Sequence, residues 1–324
     1  MAPPPADQPA ARATVPSSGE AASRRMAVLV NPEAGTARTW DPAALETRIR
    51  EALAPIGTVV LFEAVQGAGL ATAVERVFDD AAVDLVVVGG GDGTASTAAS
   101  HAIRTGKPVA VLPLGTFNLF ARLNGFTPTL DGTLDSLATA SVEAIDVGRI
   151  GDRWFLHHVT IGAHPRIIRL REAHDYGSRW GKMLAGARAF VSALSDPPQV
   201  RLAIHADRER LSGAFSNVAV TVNELAETPA VAPVPADPQG GRLAVYATRS
   251  RRATDFLMFT LLALAGRWRS NPWNGFARAR RVSIMAHRPV LRLSIDGEAV
   301  DWSLPLEVEI VPGALNVLRP SKSA

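Results

Sequence analysis

Four short runs in the first half of the chain are apolar at nearly every position and rich in Val: 26–30 (MAVLV), 58–62 (TVVLF), 83–88 (VDLVVV) and 108–112 (PVAVL). Runs of this length without polar alternation are the pattern of strands buried on both faces, as in a parallel sheet. The stretches between them carry helix signals. Asp41-Pro42 offers an N-cap and first turn for a helix reaching about Ala54, Leu70 to Phe78 forms a second, ASTAASHAIR from Ala95 a third, and another starts near Asn118. Strand, loop and helix repeat, so residues 26–146 predict a parallel α/β domain.

After about Asp146 the pattern shifts towards alternation. VEAIDVGRI and WFLHHVTIG flank the turn GDR and predict a hairpin, and RLAIHADRERLSGAFSNVAVTV predicts another around ADRER. RLAVYAT, RRVSIMAH, VLRLSIDGEAV and LPLEVEIV are further short strands, with one amphipathic helix at Arg179 to Leu194. Closely spaced strands with few helices predict a β-sandwich over 147–312. ETPAVAPVPADPQGG at 227–241 is too proline-broken for a strand, and GALNVLRP, within the closing 313–324 segment, reads as one more strand. The fold class is therefore α/β plus all-β, with a cleft between two domains.

Composition adjusts this picture only slightly. At 324 residues with 47% apolar content, two cores are affordable, and the net charge of +3 permits phosphorylated, lipid or nucleic-acid partners without selecting one. There is no cysteine, hence no disulfide framework or thiolate site, which suits a cytoplasmic protein. Residues 1–25 are Ala-, Pro- and Ser-rich without an apolar h-region and predict a disordered lead-in. The longest apolar stretch, FLMFTLLALAG at 256–266, is about half of a bilayer span. It lies within Arg249 to Arg281, where eight arginines meet the single acid Asp255 alongside Trp268 and Trp273, a composition that suits first a core-facing helix flanked by solvated arginines and second peripheral contact at an inner membrane surface. No nucleic-acid reader fold accompanies these arginines, so nucleic acid is not an expected partner.

The chemistry concentrates in loops at strand carboxyl ends. VDLVVV runs into GGGDGT, whose glycines let backbone N–H groups approach a ligand ahead of a helix amino terminus, the place where α/β sheets bind phosphate. The loop is neither GxxxxGK[ST] nor GxGxxG, since Thr94 stands where the third glycine would be. Its distinguishing feature is Asp92. A carboxylate beside phosphates repels them unless it holds a cation or takes a proton. NPEAGT after the first strand and PLGTFN after the fourth also combine small residues with Asn or Thr, so that three loops could line one crevice. His157 and His158 read as neighbours on one strand pointing to opposite faces, wrong for joint metal ligation, and His164, His174 and His205 lack partners at ligand spacing.

NPEAG at 31–35, GGDGT at 90–94, PLGTFN at 113–118 and DGE at 296–298, in that order, resemble the motifs of the diacylglycerol kinase catalytic-domain superfamily, which includes bacterial lipid kinases and sphingosine kinases. The resemblance spans nearly the whole chain after residue 25. It implies an ATP site between an α/β domain and a β-sandwich, with the last strand often returning to the first domain. Carried over, Asn31, Gly35 and Thr36 would touch nucleotide, while Gly90, Gly91, Gly93, Thr94, Gly115, Thr116 and Asn118 would cradle it. Asp296 and Glu298 would act near the transferred phosphoryl group, with Asp92 competing for the role of proton acceptor. Phosphoryl transfer asks for in-line positioning, charge neutralisation and a carboxylate, so three acids from distant sequence suit a cleft.

The implied function is an ATP- and Mg2+-dependent lipid kinase acting on a hydroxyl of a diacylglycerol-like or sphingoid lipid. Two departures favour an alternative, a nucleotide- or lipid-binding homologue that has lost catalysis. Gln239-Gly240-Gly241 stands where many bacterial relatives place Asp before Gly beside a second-domain magnesium ion, leaving Asp237 as the nearby acid, and Ala64 stands where many have Thr. No metal ligand is therefore assigned. A NAD-kinase-like enzyme of a soluble alcohol shares GGDGT but not PLGTFN and the late DGE.

Overall fold

The computed structural model describes residues 24–67, 69–162, 199–227, 235–250, 252–267 and 274–320. The expected helix at 179–194, His164, His174, Trp268, Trp273, most of the lead-in and residues 228–234 of the proline-rich loop lie outside them.

The four apolar runs become β1 (Arg25–Val30), β2 (Thr58–Ala64), β3 (Leu85–Gly90) and β4 (Val109–Pro113), parallel in the order β2-β1-β3-β4. Their side chains alternate between two helical layers because the strand period is two. Ala27, Leu29, Val86 and Val88 face α2 (Gly69–Asp79) and α3 (Asp92–Thr105). Met26, Val28, Leu85 and Val87 face α1 (Pro42–Leu53) and α5 (Leu130–Leu137), the latter preceded by the short α4 (Leu119–Leu123). Asp41 caps α1 as expected, its Oδ2 accepting from Ala44 N at 2.9 Å with Pro42 in the first turn. The sequence reading missed α5. Asp131 and Gly132 mask its Leu130, Leu134 and Leu137, which are buried on one face.

The second half supplies β5 (Ser141–Ile150), β6 (Arg153–Phe155), β7 (His158–Gly162), β8 (Val200–Ala206), β9 (Glu209–Phe215), β10 (Asn217–Val222), β11 (Leu243–Thr248), α6 (Ala253–Leu264), β12 (Asn274–Ala279), β13 (Arg281–Met285), β14 (Val290–Ile295), β15 (Glu298–Ser303) and β16 (Leu306–Arg319). A six-stranded antiparallel sheet, β12-β11-β10-β7-β14-β15, packs over a core that includes Phe155, Val159, Ile161, Ile204, Phe215, Val245, Leu293 and Leu306. Its partner layer is not a separate sheet. β5, β6, β8, β9, β13 and β16 belong to the same ten-stranded sheet as β1 to β4.

The continuity comes from β16, which pairs antiparallel with β13 at its start, with β5 along its length, and in parallel with β4 at Val317↔Val109. A bulge between Val311 and Leu315 turns it from one half to the other, with Gly313 at a φ of 62°. Asp146, 4% exposed, holds this bulge. Its Oδ1 accepts from Gly313 N at 2.9 Å, and its Oδ2 accepts from Gly241 N at 2.7 Å and Asn223 Nδ2 at 3.0 Å.

The hairpin expected around GDR differs in its second arm. WFLHHVTIG is not one strand, because β6 ends at Phe155 in the large sheet and β7 begins at His158 in the small one. Leu156 and His157 form the crossing between sheets, so the two histidines do not alternate on one strand. Replacing Asp146 by Ala leaves two glycine N–H groups and the Asn223 amide without their acceptor, and is expected to cost about 3 kcal/mol. Urea denaturation of the two proteins measures the difference.

Candidate active site

Three of the expected loops converge at the carboxyl ends of β1, β3 and β4. Asn31 N donates to Gly89 O at 2.8 Å, and the Asn31 side chain accepts from Glu33 N at 2.9 Å, shaping the first loop. Thr36 donates to Leu114 O through both its N (3.0 Å) and its Oγ1 (3.1 Å), which ties that loop to the one after β4. The loops after β3 and β4 meet at two glycines. A Cβ on Gly115 would lie 2.5 Å from Gly91 Cα, a distance no side chain tolerates, so Gly115 permits the approach.

Helix α3 begins three residues earlier than the sequence suggested. Gly91 is its N-cap in extended conformation, and Asp92, Gly93 and Thr94 are its first turn. Their N–H groups have no intrahelical acceptor and sit at the positive end of the helix, an arrangement that suits phosphate or carboxylate. The Asp92 carboxylate is half-buried, and its Oδ1 accepts from Phe120 N at 3.1 Å. Thr94 differs from its neighbours. Its side chain is buried and packs against Gly90, where an added Cβ would come within 2.4 Å of its Oγ1, so it holds the loop from within. Asn118, at a φ of 50° and 7% exposed, turns inward too, donating from Nδ2 to Pro113 O (3.3 Å) and Pro128 O (3.1 Å). Its buried Oδ1 has no hydrogen-bond partner among the described residues and would lie 3.0 Å from a Cβ on Gly115. Gly35, Thr116 and the next residue, Phe117, are exposed at the loop mouths.

The second-domain acids come from the β14–β15 hairpin, whose turn residues Asp296 and Gly297 have φ of 48° and 95°. A two-residue turn of this kind demands left-handed backbone, which Asp and Gly provide. The Asp296 carboxylate accepts from Leu156 N at 2.6 Å, His157 N at 2.9 Å and His158 N at 3.0 Å, so it clasps the crossing between the two sheets. Glu298 is exposed and pairs with Arg153 at 2.9 Å. Arg153 also lines an open groove of about 600 Å³ beside α3, with Ser96, Ser100, Arg104 and Trp154.

His157, expected as a structural strand residue unsuited to joint metal ligation, lies at the crossing between the acids. Its ring packs edge-on against Phe120 at 6.4 Å, the residue whose N–H holds Asp92, and its own N–H is held by Asp296. Burial pushes the imidazole below its ordinary value, and the Asp296 and Asp92 carboxylates oppose that shift only in part. Its Nδ1 has no hydrogen-bond partner among the described residues. Two adjacent histidines after an aromatic pair gave no sign of this, because the crossing between sheets is a non-local event.

The residues fit a nucleotide: unpaired helix N–H groups, glycines in close approach and an orphaned buried oxygen lie in one crevice. A magnesium ion bound with the phosphates keeps several waters and needs few protein ligands, so the crevice can admit one without a dedicated carboxylate cage. A second-domain ion does not fit. Asp146 already accepts three N–H donors, Asp237 Oδ1 accepts from Gln239 N at 2.9 Å, and the described residues contain no cluster of three or more candidate ligands. Ala64, exposed at the end of β2 beside Val30, offers no hydroxyl.

Two family models cover the chain in succession: the diacylglycerol kinase catalytic domain at 25–150 and the YegS C-terminal NAD kinase beta sandwich-like domain at 178–319. The chain therefore carries a diacylglycerol kinase catalytic domain followed by a YegS C-terminal NAD kinase beta sandwich-like domain. Similar relatives include a candidate lipid kinase of Staphylococcus haemolyticus, 26% identical over 75% of this chain and 78% of that protein. One from Staphylococcus aureus is 24% identical over 73% and 77% respectively. A crystal structure of a candidate diacylglycerol kinase from Bacillus anthracis superposes with a TM-score of 0.69 at 19% identity, covering 92% of this chain and 98% of that one, which establishes the shared fold.

Two outcomes are expected. His157 is held neutral in the fold, so its contribution to stability is present above the unfolded imidazole value of about 6.5 and is lost as pH falls below it, at up to about 1.4 kcal/mol per pH unit. Urea denaturation at pH 5, 6 and 7 should therefore show a steeper acid loss for the native protein than for His157→Gln. In the absence of nucleotide, EDTA should leave the melting temperature unchanged, because Asp146 needs no cation.

Proposed function

We propose that the protein is an ATP-dependent lipid kinase that transfers the γ-phosphoryl group to a hydroxyl of a diacylglycerol-like or sphingoid lipid. The observation that carries this reading is Asp92 itself, a half-buried carboxylate in the first turn of α3, set among the glycine loops and opposite the Asp296 clasp. The match of residues 25–150 to the diacylglycerol kinase catalytic domain and the names of the relatives support the same class of reaction.

In this mechanism Asn31, Gly35, Thr36, the backbone of Gly90 to Thr94, Gly115 and Thr116 hold the nucleotide, with Asn118 and Thr94 fixing loop shape from within. The acceptor oxygen attacks the γ-phosphorus, its proton passes to Asp92, and the bond to the bridging oxygen breaks to release ADP. A Mg2+ ion bound with the phosphates supplies charge neutralisation. Asp296, occupied by three backbone N–H donors, positions the junction, and Glu298 with Arg153 lies at the rim. The proton therefore falls to Asp92, whose Oδ1 is steadied by Phe120 N while Oδ2 accepts no hydrogen bond among the described residues.

The test is transfer of label from γ-labelled ATP to diacylglycerol and sphingoid lipids in mixed micelles. The native protein is expected to label lipid, and Asp92→Asn to lose at least about 100-fold in rate, the scale of a positioned proton acceptor. ATP binding without transfer to any lipid identifies a binding protein, and transfer only to a soluble alcohol identifies a NAD-kinase-like enzyme.

A further inference from the structure

Helix α6 exposes the wrong side chains for a helix facing water. Leu257, Met258, Leu261 and Leu264 are 51%, 47%, 54% and 50% exposed. At 100° per residue these four positions occupy one arc of about 120°. Thr254, exposed in the first turn, falls within the same arc, and Leu262 and Asp255, just outside it, are half-buried. Beyond that first turn, every exposed side chain of the helix that the structure describes is apolar. A surface helix normally presents the reverse pattern, and apolar arcs of this breadth are found covered.

The surroundings identify the cover. Between Arg249 and Arg269 the sequence carries five arginines, at 249, 251, 252, 267 and 269, and one acid, Asp255. That acid is engaged at the helix start, its Oδ2 accepting from Arg252 N at 3.0 Å. Arg252 and Arg267, at the two ends of the helix, are exposed. An apolar arc between cationic ends matches a surface with an apolar interior and an anionic face. A second copy of the chain would bring the same arginines against each other, and the Ala-, Pro- and Ser-rich residues 1–25 contain almost nothing large and apolar to lay on the arc.

We propose that α6 is a docking helix for an anionic bilayer surface, lying in the interface with Leu257, Met258, Leu261 and Leu264 inserted. This deepens the lipid-kinase reading by naming where the protein meets its acceptor's bilayer, and its test does not require turnover. The register fixes the relation to the active site. α6 joins β11 to β12 at the Thr248↔Asn274 end of the small sheet, whereas Asp296 hydrogen-bonds to His158 at the other end, where Leu243 faces Ala279. Strands of six residues separate the two ends by about 17 Å. Docking and phosphoryl transfer therefore use different ends of the same sheet, and changes on α6 leave the transfer site intact.

The experiment is co-sedimentation of the full chain with phosphatidylglycerol-containing vesicles and with phosphatidylcholine vesicles, without ATP, beside the variant Leu257→Gln/Leu261→Gln. Both positions are half exposed, so the variant is expected to fold, which near-UV circular dichroism checks. The native protein should prefer the anionic vesicles, lose binding as salt rises, and exceed the variant by at least about tenfold in partitioning. Both proteins should transfer phosphate equally to a dispersed short-chain acceptor. Equal vesicle binding by native and variant, or none by either, overturns the proposal. So does a native dimer, seen by light scattering, that the variant abolishes, since the arc then belongs to a second copy. Failure of turnover with vesicle binding intact overturns the kinase reading instead.

Discussion

The placement of the active site depends on the pairing of one strand. β16 runs against β5 and β13 in the second half of the chain and reaches β4 in the first, so the two units share a ten-stranded sheet. A strand that serves two neighbourhoods must change direction between them, and the bulge at Gly313 does this with its N–H fixed by Asp146. The same carboxylate holds Gly241 N and the Asn223 amide from the opposite sheet. One buried acid thus fixes how the sandwich sits on the α/β half, and with it the position of the DGE hairpin relative to GGDGT.

That geometry gives different surroundings to three acids that look equivalent on paper. Asp296 accepts from the N–H groups of residues 156, 157 and 158, which suits a clasp at the crossing between sheets. Glu298 stands in solvent against Arg153. Asp92 is anchored through one oxygen at a helix amino terminus and keeps the other available among the described residues. A chain of contacts, from Asp92 through Phe120 to His157 and on to Asp296, links the two halves across the cleft. Its buried neutral imidazole makes the junction sensitive to acid.

The sheet also keeps the proposed docking helix apart from the proposed transfer site. No helix among the described residues is long and apolar enough to cross a membrane. An apolar arc on α6 flanked by arginine gives instead a surface at the far end of the small sheet from Asp296. For a kinase whose acceptor is a lipid, such separation allows adhesion to a bilayer without crowding the phosphate loops.

The sequence by itself determined the local structure. Unbroken apolar runs marked β1 to β4, Asp41-Pro42 marked the start of α1, and the three small-residue loops at strand ends marked the crevice, because hydrophobic period, capping and glycine spacing act over a few residues. It also nominated Asp92, Asp296 and Glu298, but not their different roles. Those roles rest on hydrogen bonds between residues about 140 apart in the chain, such as Leu156 N to Asp296. Tertiary structure alone decided that WFLHHVTIG crosses between sheets, that His157 lies between two acids, that Asp146 accepts three N–H donors around the bulge, and that β16 joins both halves. In each case the deciding partner is distant in sequence, and no local pattern encodes which carboxylate a backbone N–H will meet when two sheets close on each other.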